Sequence, residues 1–204
     1  MQIKAALLDM DGTVFDSKID WVSLRGELGI PWDGRPILAQ LQEAPPDVRE
    51  RGLALLHATE KAGAENGELI PGAHELLGLL THRAVRTALV TNNSRRSAEA
   101  VLRRCNLSFD LVLTRDDVPT KPEPTAFLHA LKVFRVDPVE AVAIGDAHLD
   151  LIAAHRAGID QIILIGTPAR MIEHIPSNVA YHVAGDLVEA RQILTHLLQG
   201  RAGG

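Results

Sequence analysis

Apolar residues along this chain fall into short unbroken runs, and longer stretches with helical spacing separate them. Five runs read as strands buried on both faces: Ile3–Leu8, Thr87–Thr91, Leu111–Thr114, Ala141–Ile144 and Gln161–Ile165. Between them, helices are predicted over Gly72–His82, Ser94–Arg104, Pro122–Phe134 and His148–Ala157. Leu76, Leu77, Leu79 and Leu80 give the first an apolar face. Ser94 is a good N-cap for the second, Pro122 suits a first turn, and Gly158 is a natural stop for the last. Alternation of strand and helix predicts a doubly wound α/β fold with a parallel sheet. A short strand near Tyr181–Val183 and a helix from Asp186 are expected to close it.

One interval breaks this rhythm. After the first strand, Ser17–Leu28, Arg35–Glu43 and Asp47–Ala62 carry helical patterns with no strand among them, punctuated by Gly29-Ile30-Pro31 and Pro45-Pro46. A crossover between parallel strands does not need that much chain, so the interval reads as a small inserted all-helical cap. The expected division is a core of residues 1–15 and 71–200, a cap of 16–70 and a disordered tail of 201–204. The segment Glu68-Leu69-Ile70-Pro71-Gly72 would be the return hinge.

Hydrophobic residues form 46% of the 204, enough for a real core, while aromatics at 3% make that core aliphatic. The net charge of -5 attracts no polyanion, so no nucleic-acid partner is expected. Arg95, Arg96, Arg103 and Arg104 share one helix face, but no aromatics interleave with them, which favours a solvated face. The single cysteine, Cys105, allows no disulfide within the chain and no thiolate cluster, in keeping with a reducing cytoplasm. The N-terminal apolar run ends too early, at Asp9, for a secretory signal. No run approaches the roughly 18 apolar residues a membrane span needs. A cytoplasmic location, no membrane contact and a monomer or homodimer are expected.

In open α/β sheets, ligands bind outside the carboxyl ends of the strands. Asp9, Asp11, Gly12 and Thr13 follow the first strand; Thr91, Asn92 and Asn93 the second. Lys121 opens the helix after the third, and Gly145, Asp146 and Asp150 follow the fourth. Carboxylates, a hydroxyl and a lysine thus converge from distant segments, which suits phosphoryl transfer. A carboxylate can serve as nucleophile, and a hard divalent cation relieves the repulsion within an acidic cluster. Asp9 and Asp146 would ligate Mg2+ through their side chains, and Asp11 through its carbonyl. Lys121 would screen charge on nucleophile and phosphate. Thr91, Asn92 and backbone N–H groups at Met10 and Asp11 would bind phosphate oxygens. Asp11, in a hydrophobic-walled site among other carboxylates, is expected to have a raised pKa and to act as general acid and base.

These segments also resemble a known family. Leu7-Leu8-Asp9-Met10-Asp11-Gly12-Thr13-Val14 is similar to the first motif of the haloacid dehalogenase superfamily, and Leu89-Val90-Thr91-Asn92 to its second. Lys121-Pro122-Glu123-Pro124 resembles the third, and Ile144-Gly145-Asp146-Ala147-His148-Leu149-Asp150 the fourth. All four stand in family order, and the cap position resembles the phosphoglycolate phosphatase-like and β-phosphoglucomutase-like branch. The resemblance implies a Mg2+-dependent phosphatase acting on a small phosphorylated metabolite through an aspartyl-phosphate. Asp9 is then the nucleophile, Asp11 the acid/base, Thr91 and Lys121 the phosphate and charge partners, and Asp146 a metal ligand. Asp150 would be an outer residue orienting metal waters or Lys121. Asn93 stands where such relatives often carry a lysine, and the cap is short, so the substrate is not implied.

Competing readings are a phosphomutase on the same scaffold, a receiver-type phospho-accepting domain, and a dehalogenase. The cap and Asp11 argue against a receiver; Asp11 and Asp146 argue against a dehalogenase. Asp150 could instead simply cap its helix. His148 is expected to be structural rather than substrate-touching, Trp21 and Trp32 to be cap core, and Arg25 and Arg35 to be solvated or ion-paired.

Overall fold

A computed structural model of the chain describes residues 2–166 and 172–199. The predicted tail, 201–204, lies outside the described residues. Six strands, β1 (Ala5–Leu8), β4 (Arg86–Val90), β5 (Leu111–Leu113), β6 (Ala141–Gly145), β7 (Gln161–Ile165) and β8 (His182–Ala184), form one parallel sheet in the order β5-β4-β1-β6-β7-β8. Its central strands are the apolar runs of the sequence, because strands covered on both faces have no polar side to show.

Alternate side chains feed two cores. Ala6, Leu8, Leu89, Val142 and Ile144 face α4 (Ala73–His82), α5 (Arg95–Arg104) and α8 (Leu187–Gln199). Ala5, Leu7, Ala88, Val90 and Ala143 face α6 (Thr125–Phe134) and α7 (His148–Arg156). The period of two along β1 thus divides the molecule into its layers. Strand order reverses around β1, so the carboxyl ends of β1, β4 and β6 open onto a shared crevice.

A two-stranded antiparallel pair, β2 (Phe15–Asp16) with β3 (Glu68–Leu69), leads out of the core and back. Between its strands run α1 (Trp21–Leu28), α2 (Ile37–Glu43) and α3 (Pro46–Asn66). These helices have their own small apolar cluster, with Leu24, Ile37, Leu41 and Leu56 buried. Neither strand of the pair was legible in the sequence, since two residues show no periodicity.

Several boundaries differ from the predicted ones for local reasons. α1 starts at Trp21 rather than Ser17, because Lys18 has a left-handed φ of 57° and Asp20 caps the helix by accepting from the Val22 and Ser23 N–H groups. α2 starts at Ile37, after an extended Pro36. α3 runs on to Asn66. α6 starts at Thr125, so Lys121 and Pro122 lie in a turn ahead of it; Pro124 disfavours helical backbone at Glu123. Strands β1 and β5 are shorter than read, and the closing strand is His182–Ala184. Asp186 accepts from the Glu189 N–H ahead of α8. Among the described residues, no helix is long and apolar enough to cross a membrane.

Candidate active site

Three strand ends build the site. Beyond β1, the Asp9 N–H still donates to the Ile144 carbonyl (2.9 Å), and the chain then turns tightly, with the Met10 carbonyl accepting from Val14 and Phe15. Gly12 makes this turn at φ 79°, and a Cβ there would stand 2.2 Å from an Asp146 carboxyl oxygen. Glycine is needed both for the backbone and for the space. Asp146 directly follows β6, and Asp150 sits in the first turn of α7, where its Oδ2 accepts from the Ala147 N–H (3.0 Å). The capping reading of Asp150 therefore holds for one oxygen only.

The other oxygen binds Lys121. Its ammonium donates to Asp9 Oδ1 (2.6 Å), Asp150 Oδ1 (2.5 Å) and the Val90 carbonyl (2.9 Å), which engages all three of its protons. Asp9, Asp146 and Asp150 each bring a carboxyl oxygen within 4.8 Å of the others. One ammonium therefore binds two of these three carboxylates directly, Asp9 and Asp150.

The titration of the group follows from that imbalance. Burial first, and then Asp150, raise Asp9 to about 7 despite the opposing pull of Lys121. Asp146 is raised well above the usual carboxylate range by burial, with Asp9, Asp150 and Asp11 adding to it. Burial alone would lower Lys121, but Asp150 and Asp9 outweigh it and raise it. An all-oxygen donor set with surplus negative charge fits a hard divalent cation of the Mg2+ kind.

Asp11 lines the same cavity as this trio but is held apart from the trio's ammonium. Its Oδ1 accepts from the Ser17 N–H (2.9 Å), and burial raises its pKa against that hydrogen bond. Of the two causes expected, the hydrophobic surroundings and the neighbouring carboxylates, desolvation is the larger, with Asp16 a lesser addition. Thr91 directly follows β4, and its hydroxyl accepts from the Asn93 N–H (3.1 Å), which leaves its own proton free. Both ends of the Asn92 amide clip the backbone of Lys121: Nδ2 donates to its carbonyl (3.1 Å) and Oδ1 accepts from its N–H (2.8 Å). One Asn92 N–H remains for a ligand.

Over these groups lies a cavity of about 220 Å³, walled on its other side by side chains of α1–α3 and their loops.

The whole arrangement has counterparts in known proteins. The model of the haloacid dehalogenase-like hydrolase family matches residues 3–158. The chain belongs to that family. It is 30% identical over 176 residues to a validoxylamine A 7'-phosphate phosphatase of Streptomyces hygroscopicus subsp. limoneus, covering 76% of this chain and 83% of that protein. It is 29% identical over 184 residues to a phosphoglycolate phosphatase of Nitrosospira multiformis, covering 78% and 81%. Among solved structures, a hydrolase from Pseudomonas syringae shares the fold, with a TM-score of 0.76 at 22% identity over 95% of this chain and 98% of that one. This haloacid dehalogenase-like hydrolase is of the phosphatase kind its relatives represent.

The structure of this hydrolase brings together Asp9, Lys121, Asp146 and Asp150, with Asp11, Thr91 and Asn92 lining the same cavity. It also uses residues the sequence did not single out. Ser17 holds Asp11, and the Val90 carbonyl holds Lys121. Arg115 forms a nearly buried bidentate ion pair with Glu60 of α3 and donates to the Asn92 carbonyl (3.0 Å). No spacing rule links positions 60 and 115.

Three other readings change. Trp32 is not cap core: it is 42% exposed, lines the cavity and lies beneath the Arg25 guanidinium at 4.9 Å. Arg25 is half-buried and, among the described residues, has no ion pair; it donates to the carbonyls of Pro31 and Arg35 and to Gln40. Arg104 is more than a solvated side chain, because it donates to the Ala64 and Gly67 carbonyls and ties α5 to the end of α3. Arg35 is ion-paired as expected, with Asp33 and Glu43. His148 bridges core and helices through Nε2 to the Gly34 carbonyl (2.7 Å).

Proposed function

We propose that this phosphatase hydrolyses a small phosphorylated metabolite with Mg2+ through an aspartyl-phosphate on Asp9. The observation that carries the reading is the trio of Asp9, Asp146 and Asp150 converging within 4.8 Å around a single lysine at the strand ends. So much buried negative charge calls for a cation and suits an incoming phosphoryl group only once one is bound. The Asp9 and Asp146 carboxylates and the Asp11 carbonyl would hold Mg2+, with Asp150 close enough to orient its waters. Bound there, the ion neutralises the carboxylates and withdraws charge from phosphate oxygens.

In the first half-reaction an Asp9 oxygen attacks phosphorus and the ester P–O bond breaks. Asp11, whose pKa burial raises, gives its proton to the departing alkoxide. The alcohol leaves and Asp9 carries the phosphoryl group. In the second, the Asp11 carboxylate takes a proton from water as the water oxygen attacks phosphorus. The bond from phosphorus to Asp9 breaks, freeing inorganic phosphate and the carboxylate. Lys121 holds Asp9 in place and offsets its charge, while the Thr91 hydroxyl, the remaining Asn92 N–H and backbone N–H groups at Met10 and Asp11 bind phosphate oxygens.

Asp9→Asn should bring hydrolysis of an aryl phosphate in Mg2+ to background. In Asp11→Asn, acid-quenched samples should show one phosphoryl group by intact mass. Full turnover by Asp9→Asn removes the nucleophile from this scheme.

A further inference from the structure

The cavity's two halves differ in chemistry. The floor offers the carboxylates, Thr91, Asn92 and Asn93; the roof offers Trp21, Trp32, Ile37, Leu38 and Leu56. The charged groups of the roof are each engaged elsewhere. Arg25 donates to two carbonyls and to Gln40, and lies over the Trp32 ring. Gln40 in turn donates to the Pro31 carbonyl and to Asp33 (2.6 Å). Arg35 is held by Asp33 and Glu43, and Glu60 by Arg115. A substrate's phosphoryl end must lie on the floor, so its alcohol end meets the roof.

Resting on the phosphatase reading, we propose that the alcohol half of the substrate is apolar and carries a ring, as in a phenylalkyl phosphate, rather than a polyol or a carboxylate. A sugar's several hydroxyls would lose their water here and find the charged side chains of the roof taken, leaving the unpartnered His148 Nδ1 for at most one of them. A flat hydrocarbon would instead lie against the Trp32 side chain, which the Arg25 guanidinium steadies, and against Leu56 and Ile37. The cavity of about 220 Å³ limits the group to a small one.

The chain has only two tryptophans, and both line this cavity, so their fluorescence reports its occupancy without any catalysis. Three non-hydrolysable probes are titrated into the whole protein with Mg2+: 3-phenylpropylphosphonate, 3,4-dihydroxybutylphosphonate and 3-phosphonopropionate. The phenyl probe should bind at least about tenfold more tightly than either of the others. In Trp32→Ala, a change at a half-open position that should not disturb folding, that ratio should shrink to within about threefold. Equal or tighter binding of the dihydroxy or carboxylate probe, an unchanged ratio in Trp32→Ala, or no binding of any probe overturns the proposal. If the preference holds while no phosphate ester is turned over, the phosphatase reading fails and the apolar roof stands. If esters are turned over without the preference, only the substrate class fails.

Discussion

A methyl group at position 12 would have to occupy the place of the Asp146 carboxylate, and it would sit on a backbone that L side chains avoid. Gly12→Ala should therefore cost about 1–3 kcal/mol in strain, measurable as a lower denaturation midpoint. It should also weaken Mg2+ binding, read by calorimetry, because Asp146 must move. Gly145 plays the same part for Asp150, whose Cβ and Cγ lie 2.5 Å from where a Cβ would be. Lys121 is the single ammonium among Asp9, Asp146 and Asp150, and only 4% of its side chain is exposed. Lys121→Met removes the partner of buried carboxylates, which costs about 3–5 kcal/mol. The loss should be largest in EDTA and shrink when Mg2+ is added; equal losses in both would mean the ion does not share that charge.

At the level of elements, α3 is held to the core by polar contacts as much as by apolar ones. Glu60 on α3 and Arg115 after β5 are almost wholly buried, and Arg115 also reaches the Asn92 carbonyl. Ser97 on α5 adds a hydroxyl contact to the Glu60 carbonyl, and Arg104 binds the carbonyls at the end of α3. Glu60→Ala strands a buried guanidinium and should cost about 3–5 kcal/mol by urea denaturation. Glu60→Ala with Arg115→Ala should cost clearly less than the sum of the two single changes. Additive losses would show that the pair is not coupled. The motif loops were legible because each needs particular residue types next to a strand end. The link between α3 and the β5 loop was not, because a contact between positions 60 and 115 leaves no mark on either local pattern.

For the molecule as a whole, metal, protons and folding are linked. Asp9 is raised to about 7, and Asp11 and Asp146 are also raised, from an unfolded value near 3.9. Folding of the metal-free protein therefore takes up protons. The stability these groups contribute is complete below about pH 4 and is lost as pH rises through their folded values, for Asp9 about 7. Without divalent ions the melting temperature should fall over that window. Mg2+, which binds the deprotonated carboxylates, should flatten the decline and raise stability most at the alkaline end. Scanning calorimetry from pH 5 to about 8, with Mg2+ and with EDTA, checks this; parallel curves would separate the ion from these carboxylates.

Taken alone, the sequence determined the parallel sheet, its flanking helices, the inserted helices and the strand ends at which Asp9, Thr91, Lys121 and Asp146 meet. Those features follow from apolar runs, helical spacing and turn residues, all of them local and periodic. Tertiary structure alone decided where Lys121 sends its three protons, that Asp11 turns to Ser17, that Asn92 clips Lys121, and that Trp32 faces the cavity rather than a core. Each of these depends on distances between segments far apart in the chain. Such distances are fixed only when the layers pack, and the order of residues does not encode them in any local pattern.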